Sequence, residues 1–135
     1  MVIEVLDFNL RGGADAPAAA ARVARVTERY LPAEAARDTM AVTNEIVSWL
    51  AAGAILHSTL RLELSVTSAV VRISVTAGRR PADGTLPNDS LRGALPVTAA
   101  LASRFGFESR QRTRIWAEFD RIVKPVAAYK ESEYS

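Results

Sequence analysis

The stretch from Ala33 to Ala54 places the strongest constraint on how this 135-residue chain folds. Apolar and small residues recur there at steps of three and four, which on a helix form one stripe about 100° wide. The stripe consists of Ala36, Met40, Thr43, Val47, Leu50 and Ala54. Pro32 precedes the stretch and Gly53 lies near its end, as is typical of the two ends of a helix. We therefore predict a helix roughly 30 Å long whose stripe faces a core.

Composition limits the class of protein. The length predicts one domain, and a hydrophobic share of 49% with a charged share of 24% is typical of a globular protein. We assign residues 1–122 to this domain and expect residues 123–135 to form a loosely held tail. The chain has no cysteine, which excludes disulfides, thiolate metal sites and cysteine nucleophiles.

The net charge, the N-terminal residues and the length of the apolar runs predict the protein's location and exclude some classes of partner. The formal net charge is only +2, so we expect no nucleic-acid partner. The first residues, MVIEVLDFNLRGG, lack the basic start and the apolar run of a signal peptide. No segment reaches about 18 uninterrupted apolar residues, so we also expect no membrane span and a cytoplasmic location.

Alternating apolar residues predict the strands. Val2–Leu10 is predicted as an edge strand with a bulge at Asp7, where its alternation changes phase. Leu60–Thr67 and Val71–Thr76 alternate cleanly around Ser68 and Ala69, which predicts a tight antiparallel hairpin. A second hairpin is predicted from residues 107–109 and 113–119, with Ile115, Ala117 and Phe119 on the core face.

Two further helices are predicted, one on each side of the first hairpin. Ala18–Leu31 follows Asp15, a candidate N-cap, and carries Ala19, Val23, Val26 and Tyr30 on its inner face. Ser90–Phe105 is the other, with Pro96 as a kink or as the true start and Gly106 as the stop. Residues 78–89 collect turn-forming residues and are predicted to be a long loop. The order predicts an α+β fold, a two-layer sandwich of helices on a mostly antiparallel sheet.

This order resembles the GHKL (histidine-kinase-like) ATPases, and in particular the small anti-sigma-factor serine kinases abundant in actinobacteria. The resemblance covers about residues 18–120. It is carried by the segments VTNEIVSWL (42–50), LRLELSVTSAVVRISV (60–75), LRGALPVTAALASRFGFE (91–108) and TRIWAEF (113–119). It implies the histidine-kinase-like ATPase fold.

The family's helix motif ExxxN is altered in this chain. In the family the glutamate acts as a base and the asparagine ligates Mg²⁺. Glu45 takes the glutamate position, whereas Trp49 takes that of the asparagine. An indole has no lone pair for a cation that demands oxygen ligands, and Asn44 points about 100° away around the helix. The resemblance therefore implies a vestigial base and no metal site.

The family's adenine and phosphate boxes are altered too. At the adenine box, DxGxG, the chain has Ala77 and Gly78 but no carboxylate. At the phosphate box, GxGxG, only Gly93 remains. Thr113 in the final strand completes the positions that match the nucleotide pocket, and we expect them to be non-functional. Trp49 is a candidate to fill the empty nucleotide cavity.

Three functions follow as hypotheses. The first is a non-catalytic regulatory protein without cofactor, which keeps the family's partner-binding surface and binds a sigma factor or an anti-sigma antagonist, as a monomer or a homodimer. The second is an active serine kinase that uses ATP and Mg²⁺. The third is an interaction subunit unrelated to sigma factors.

Other candidate residues have ordinary structural explanations. His57 stands alone near the start of a predicted strand, so it has no neighbour with which to form a site. Arg79 and Arg80 lie in a predicted loop, where arginine side chains are in most proteins simply exposed to solvent. A basic patch is predicted near the final hairpin, with Trp116 beside it; it consists of Arg110, Arg112, Arg114 and Arg121. Because acids are interspersed, this patch predicts a protein contact and not a nucleic-acid site.

Overall fold

The computed structural model describes residues 2–10, 15–53, 60–77, 92–109 and 112–121. Its elements are β1 (Val2–Leu10), α1 (Ala16–Thr27), α2 (Ala33–Gly53), β2 (Leu60–Thr67), β3 (Val70–Ala77), α3 (Pro96–Leu101), β4 (Arg104–Ser109) and β5 (Thr113–Asp120). The predicted order of helices and strands is confirmed. The predicted loop at 78–89 and the tail at 123–135 lie outside the described residues, as do Gly78 and His57.

The five strands form one antiparallel sheet in the order β1-β2-β3-β5-β4. Helix α2 packs on β2, β3 and β5, while α1 packs on α2, and α3 contacts both α2 and β4. The alternating apolar residues of β2 and β3 form one buried face of the sheet. The fully buried members are Leu60, Leu62, Leu64 and Val66 in β2 and Val71, Ile73 and Val75 in β3. The fold is therefore the predicted α+β two-layer sandwich, with the core between sheet and helices.

The long helix α2 begins at the predicted residue, Ala33, and Ala54 lies outside the described residues. Its buried face is wider than the predicted stripe. Ala36, Thr43, Val47 and Leu50 are buried as expected, whereas Met40 remains 40% exposed. The stripe is extended on its other side by Thr39, Val42 and Ile46. Since α2 packs on α1, α3 and the sheet together, more of its circumference is covered than a surface helix requires.

Three buried threonines lie in the helix layer, and two of them meet between α1 and α2. The hydroxyls of Thr27 and Thr39 lie 3.1 Å apart across the two helices. Each donates to a carbonyl within its own helix, Thr27 to Ala24 at 3.0 Å and Thr39 to Ala36 at 2.6 Å. Thr43 donates to the Thr39 carbonyl at 2.7 Å. These hydroxyls are thus all satisfied inside the core, as buried polar groups must be.

Strand β1 lies at the edge as predicted, but the bulge predicted at Asp7 is wrong. The register against β2 runs without interruption from Glu4, opposite Val66, to Leu10, opposite Leu60. The irregularity lies between Val2 and Glu4. Backbone pairing with β2 fixes this register, and the change of phase in the apolar pattern does not alter it.

The two hairpins differ in how well their ends were predicted. At the first, Thr67 Oγ1 accepts hydrogen bonds from the backbone N–H of Ala69 and Val70 at 3.2 and 3.1 Å, which closes the predicted tight turn. At the second, β4 begins at Arg104, so the helix predicted to reach Phe105 is wrong. It ends at Leu101, and Gly106 lies within the strand and does not stop the helix.

The remaining helices begin close to the predicted positions. Helix α3 starts at Pro96, one of the two roles predicted for that proline, although residues 92–94 are helical as well. Asp15 occupies the N-cap position of α1 but makes no side-chain hydrogen bond to the helix end. Ala19 and Val23 are buried on the predicted inner face, with Val26 and Tyr30 packed at its margin.

Candidate functional site

Glu45 lies at the contact between α2 and α3, where its carboxylate binds the start of α3. Oε2 accepts a hydrogen bond from the backbone N–H of Val97 at 3.0 Å. Oε1 accepts two, from the backbone N–H of Thr98 at 2.7 Å and from the Thr98 hydroxyl at 2.8 Å. Three of the roughly four acceptor positions of a carboxylate are therefore filled by one helix end.

These contacts complete the hydrogen bonding of the first turn of α3. Pro96 has no N–H to satisfy, and the next two amides bind Glu45. Ala99 then makes the first bond to a preceding carbonyl, that of Leu95, at 2.9 Å. Leu95 at the N-cap position offers no side-chain acceptor. Glu45 thus replaces the missing cap from another helix, and its negative charge suits the positive end of α3.

Trp49 lies one turn after Glu45 on α2. Its side chain is half-buried and packs against the hydrophobic core cluster. The indole offers a donor and no acceptor lone pair, so it does not ligate a hard cation. Trp49 therefore has an identifiable packing role, at the position that the resemblance assigns to the family's metal ligand.

Ala77 and Thr113 are brought together by the sheet. They are cross-strand partners at the end of β3 and the start of β5, and both are buried. Among the side chains of the described residues, Thr113 Oγ1 is the one buried polar atom without a hydrogen-bond partner. An unpaired buried hydroxyl costs about 1–3 kcal/mol of stability. The predicted adenine position thus combines a methyl group with an unsatisfied hydroxyl.

Gly93 shows no steric need for glycine. It is exposed in the helical residues 92–94, and a Cβ built there would meet nothing within 4 Å. The structure therefore brings Glu45 to Thr98 and Ala77 to Thr113, while Gly93 is exposed on the surface.

The face of the sheet opposite the helices is centred on Trp116. The indole lies over Gly106 of the neighbouring strand, so closely that a Cβ at that glycine would lie 2.5 Å from Cζ2 of the ring. The guanidinium of Arg72 is 4.7 Å from the ring centroid. Backbone, indole and guanidinium therefore stack in order, which is a favourable cation–π arrangement.

Ion pairs surround this aromatic centre. Arg104 binds both Glu118, at 2.9 Å, and Asp120, and Arg72 approaches Glu118 at 3.7 Å. Hydrogen bonds to Asp120 and Glu118 raise the pKa of Arg104 above its ordinary value. Arg114 lies between Glu63 at 4.0 Å and Glu108 at 3.7 Å. Arg61 approaches Glu63 at 3.9 Å, which brings the network to four arginines and four carboxylates. We call this network, with Trp116, the outer sheet face.

The predicted basic patch does not include Arg121, while Arg112 is exposed just before β5. Arg114 and Arg121 are seven residues apart on one extended strand, which is roughly 23 Å. Arg121 lies at the far end, where it donates to the Thr67 carbonyl at 2.7 Å and lies 5.2 Å from the ring centroid of Tyr30. Arg110 is outside the described residues, and Arg114 is flanked by carboxylates. A strand separates charges that a short stretch of sequence groups together.

Sequence reasoning missed the residues that bind Glu45. Both Val97 and Thr98 lie within the predicted helix Ser90–Phe105, and nothing in its periodicity pairs them with Glu45. Pro96 was the available signal, because a helix that starts there leaves the following amides in need of an acceptor.

Two negative findings concern the described ranges alone. Over residues 2–10, 15–53, 60–77, 92–109 and 112–121, no group of three histidine, cysteine, aspartate or glutamate side chains is placed to hold a metal ion. In that same part of the chain, no helix is both long and apolar enough to cross a membrane.

Comparison with known proteins adds no relative to these observations. No model of a known protein family matches the sequence, and no curated protein matches it. The likeness to the GHKL ATPases therefore stays a prediction from the motifs.

Proposed function

We propose that this protein is a non-catalytic regulatory module that acts by binding a protein partner. The observation that carries the proposal is the engagement of Glu45. Its two carboxylate oxygens accept three hydrogen bonds from α3, so the residue at the position of the family's base serves as a helix cap. A general base needs a free acceptor directed at its substrate, and α3 leaves Glu45 about one of its roughly four acceptor positions.

The other pocket positions support the same conclusion. Trp49 offers no ligand to Mg²⁺, and its ring packs on the core. Ala77 offers no carboxylate to an adenine amino group, and its cross-strand partner Thr113 has a hydroxyl without a partner. The N-terminal amides of α3, which suit an anion, bind Glu45. Trp49 and Ala77 thus lack the oxygen ligand or carboxylate that nucleotide binding requires. The α3 amides could bind an anion, but they are already bonded to Glu45.

Partner binding requires a complementary surface and no phosphoryl transfer. Following the resemblance, we propose a sigma factor or an anti-sigma antagonist as the partner, in the cytoplasm, with regulation by partner exchange. The outer sheet face offers arginine and tryptophan, which are enriched at the energetic centres of protein interfaces.

Mg-ATP binding tests the proposal. We expect no change in the free energy of unfolding on adding millimolar Mg-ATP, whereas a native site at a hundred times its Kd would add about 2.7 kcal/mol. Glu45→Ala should lower stability by about 1–3 kcal/mol with or without nucleotide, because it leaves α3 amides uncapped. Asn44→Ala, an exposed change on the same helix, is the matched control and should stay within about 0.5 kcal/mol of the wild type.

A stabilisation by Mg-ATP that disappears in Glu45→Ala would contradict the proposal and favour the kinase. The partner is tested separately by capture from native cytoplasm with the wild-type chain as bait. Recovery of a sigma factor or of an antagonist is expected, and the capture of neither would count against sigma-factor control.

A further inference from the structure

Strand β4 is an edge of the sheet with one unpaired side. It pairs with β5, and no other strand of the described residues lies on its other side. Alternate residues of an edge strand direct their backbone N–H and C=O groups away from the sheet, where they can pair with a further strand. Beside this edge, α3 contacts β4 and leaves Val97 and Leu101 38% and 37% exposed. The edge therefore offers hydrogen-bonding groups together with apolar surface.

The two faces of β4 set what a further strand must carry. On the helix side, Phe105 and Phe107 are half-buried and pack against the core. On the outer sheet face, Gly106 lies under the indole of Trp116, and the side chain of Glu108 is 56% exposed. A strand that fits this edge carries apolar residues on the helix side. On the outer side it carries a small residue beside the indole and a cation beside Glu108.

The C-terminal segment, residues 122–135, begins at the end of the sheet where β4 starts. There the backbone N–H of Asp120 donates to the Ser103 hydroxyl at 3.0 Å, and that of Arg121 donates to the Ala69 carbonyl at 2.9 Å. The free side of β4 is two strand spacings from β5, about 10 Å, which about four extended residues can span. From that point the segment can run along β4 in the same direction as β4. An antiparallel run would first have to reach the far end of the strand.

The sequence of the C-terminal segment contains a stretch that meets these requirements. Residues 126–130 read VAAYK and follow Pro125, a residue tolerated at the start of an edge strand. In one parallel register every neighbour is complementary: Tyr129 lies beside Phe107, Ala128 beside Gly106 and Lys130 beside Glu108. Since Glu108 already lies 3.7 Å from Arg114, the charges then alternate along the row from β5 to β4 to the new strand.

Other registers on the same edge fit less well. Sliding the segment by two residues in one direction places Lys124 beside Arg104, which are like charges. Sliding it by two in the other direction removes the cation from Glu108, and a slip by one residue exchanges the two faces. One register is therefore favoured over its neighbours.

The opposite edge of the sheet, β1, is a poorer site for the segment. Its free side is about 19 Å from β5, so about six residues would be used in reaching it. Strand β1 carries Glu4 and Asp7 and no basic residue, and the part of the segment left to pair with it includes Glu131 and Glu133. Like charges would accumulate there, whereas β4 offers an acid to a lysine.

We propose that residues 126–130 bind along β4 of their own chain as a sixth strand, parallel to β4, with Lys130 beside Glu108. This strand takes the place of the loosely held tail that the weak sequence pattern predicts. It covers the free edge of β4, so any other strand that pairs there must displace it. The site is remote from Glu45, and the proposal holds or fails independently of the regulatory function.

Amide hydrogen exchange of the full chain tests the proposal. Lys130→Glu places two acids side by side, so the β4 amides should exchange at least about tenfold faster than in the wild type. The matched control, Lys130→Arg, keeps the charge and should keep the slow exchange. Amides of β1, the other edge, should be the same in all variants.

Charge exchange separates binding of the segment from folding of the domain. Glu108→Lys alone also removes the pair with Arg114, so its effect is not diagnostic by itself. Combined with Lys130→Glu it restores opposite charges across the junction, and the slow exchange of β4 should return. A combined variant whose β4 exchanges as fast as that of Lys130→Glu would overturn the proposal. So would a Lys130→Glu variant whose β4 exchanges as slowly as that of the wild type.

Nuclear Overhauser contacts in the wild-type chain give a second measurement. The ring of Tyr129 should be close to that of Phe107, and the methyl group of Ala128 close to the indole of Trp116. Absence of any contact between residues 126–130 and β4 would overturn the proposal. Contacts or protection that grow with protein concentration would overturn it too, because they would come from a second copy.

Discussion

At the scale of single residues, the structure separates polar groups that the fold satisfies from one that it does not. Glu45 is bound by α3, and the hydroxyls of Thr27, Thr39 and Thr43 have partners inside the helix layer. Thr113 is as deeply buried, yet its hydroxyl has no partner among the described residues. Residues of the same type therefore contribute to stability with opposite signs.

Thr113→Val and Thr39→Val should change the free energy of unfolding in opposite directions. Replacing the unpaired hydroxyl of Thr113 by a methyl group removes a desolvation cost, so we expect a gain of up to about 1 kcal/mol. Thr39→Val instead removes the hydrogen bond from the Thr39 hydroxyl to the Ala36 carbonyl, together with its contact to the Thr27 hydroxyl, and should cost about 1 kcal/mol. Urea denaturation of both variants measures the difference. A loss of stability in Thr113→Val as large as that in Thr39→Val would show that the Thr113 hydroxyl is satisfied.

At the scale of elements, glycine has a steric role in β4 and none before α3. Gly106 lies under the indole of Trp116, which occupies the space that a Cβ would need. Gly93 lies in open space in a helical segment. The packing of β4 against β5 therefore depends on one missing side chain, while the segment that leads to α3 does not.

Gly106→Ala should destabilise the protein by about 1–3 kcal/mol, because either the indole or the strand must move. Gly93→Ala is the matched control; it should be neutral or stabilise by up to about 1 kcal/mol, since alanine favours helix. Thermal unfolding with tryptophan fluorescence measures both changes. In Trp116→Ala the second substitution, Gly106→Ala, should no longer be costly. A Gly106→Ala variant as stable as the wild type would contradict the close contact.

At the scale of the whole molecule, the order of the strands sets an order of local stability. Strand β3 lies at the centre of the sheet, between β2 and β5, while β1 and β4 form the edges. Helix α2 covers β2, β3 and β5. Opening β3 requires the loss of both neighbours and of the helix layer, so it approaches global unfolding.

Native-state hydrogen exchange should therefore find the slowest amides in β3. Its exchange free energy should equal that of global unfolding, and the amides of β1 should exchange faster through local opening. Equal protection of β1 and β3 would indicate that the sheet opens only as one unit.

What the sequence determined by itself were the features that depend on neighbours a few residues apart. The helical period of α2, the alternation of β2 and β3, the turn at Ser68 and Ala69 and the α+β order all follow from residues within a turn or two of one another. Such patterns report which face of an element is apolar. They do not report what covers it.

Tertiary structure decided the rest. Met40 is exposed because the packing around α2 favours the other side of the stripe, and Phe105 lies in a strand because β5 pairs with it. Glu45 meets Val97 and Thr98, which are 52 and 53 residues further along the chain. The position of the α3 end beside that carboxylate depends on how helices and sheet pack together. A local sequence pattern does not report contacts between residues more than 50 positions apart, so only the folded chain shows what Glu45 binds.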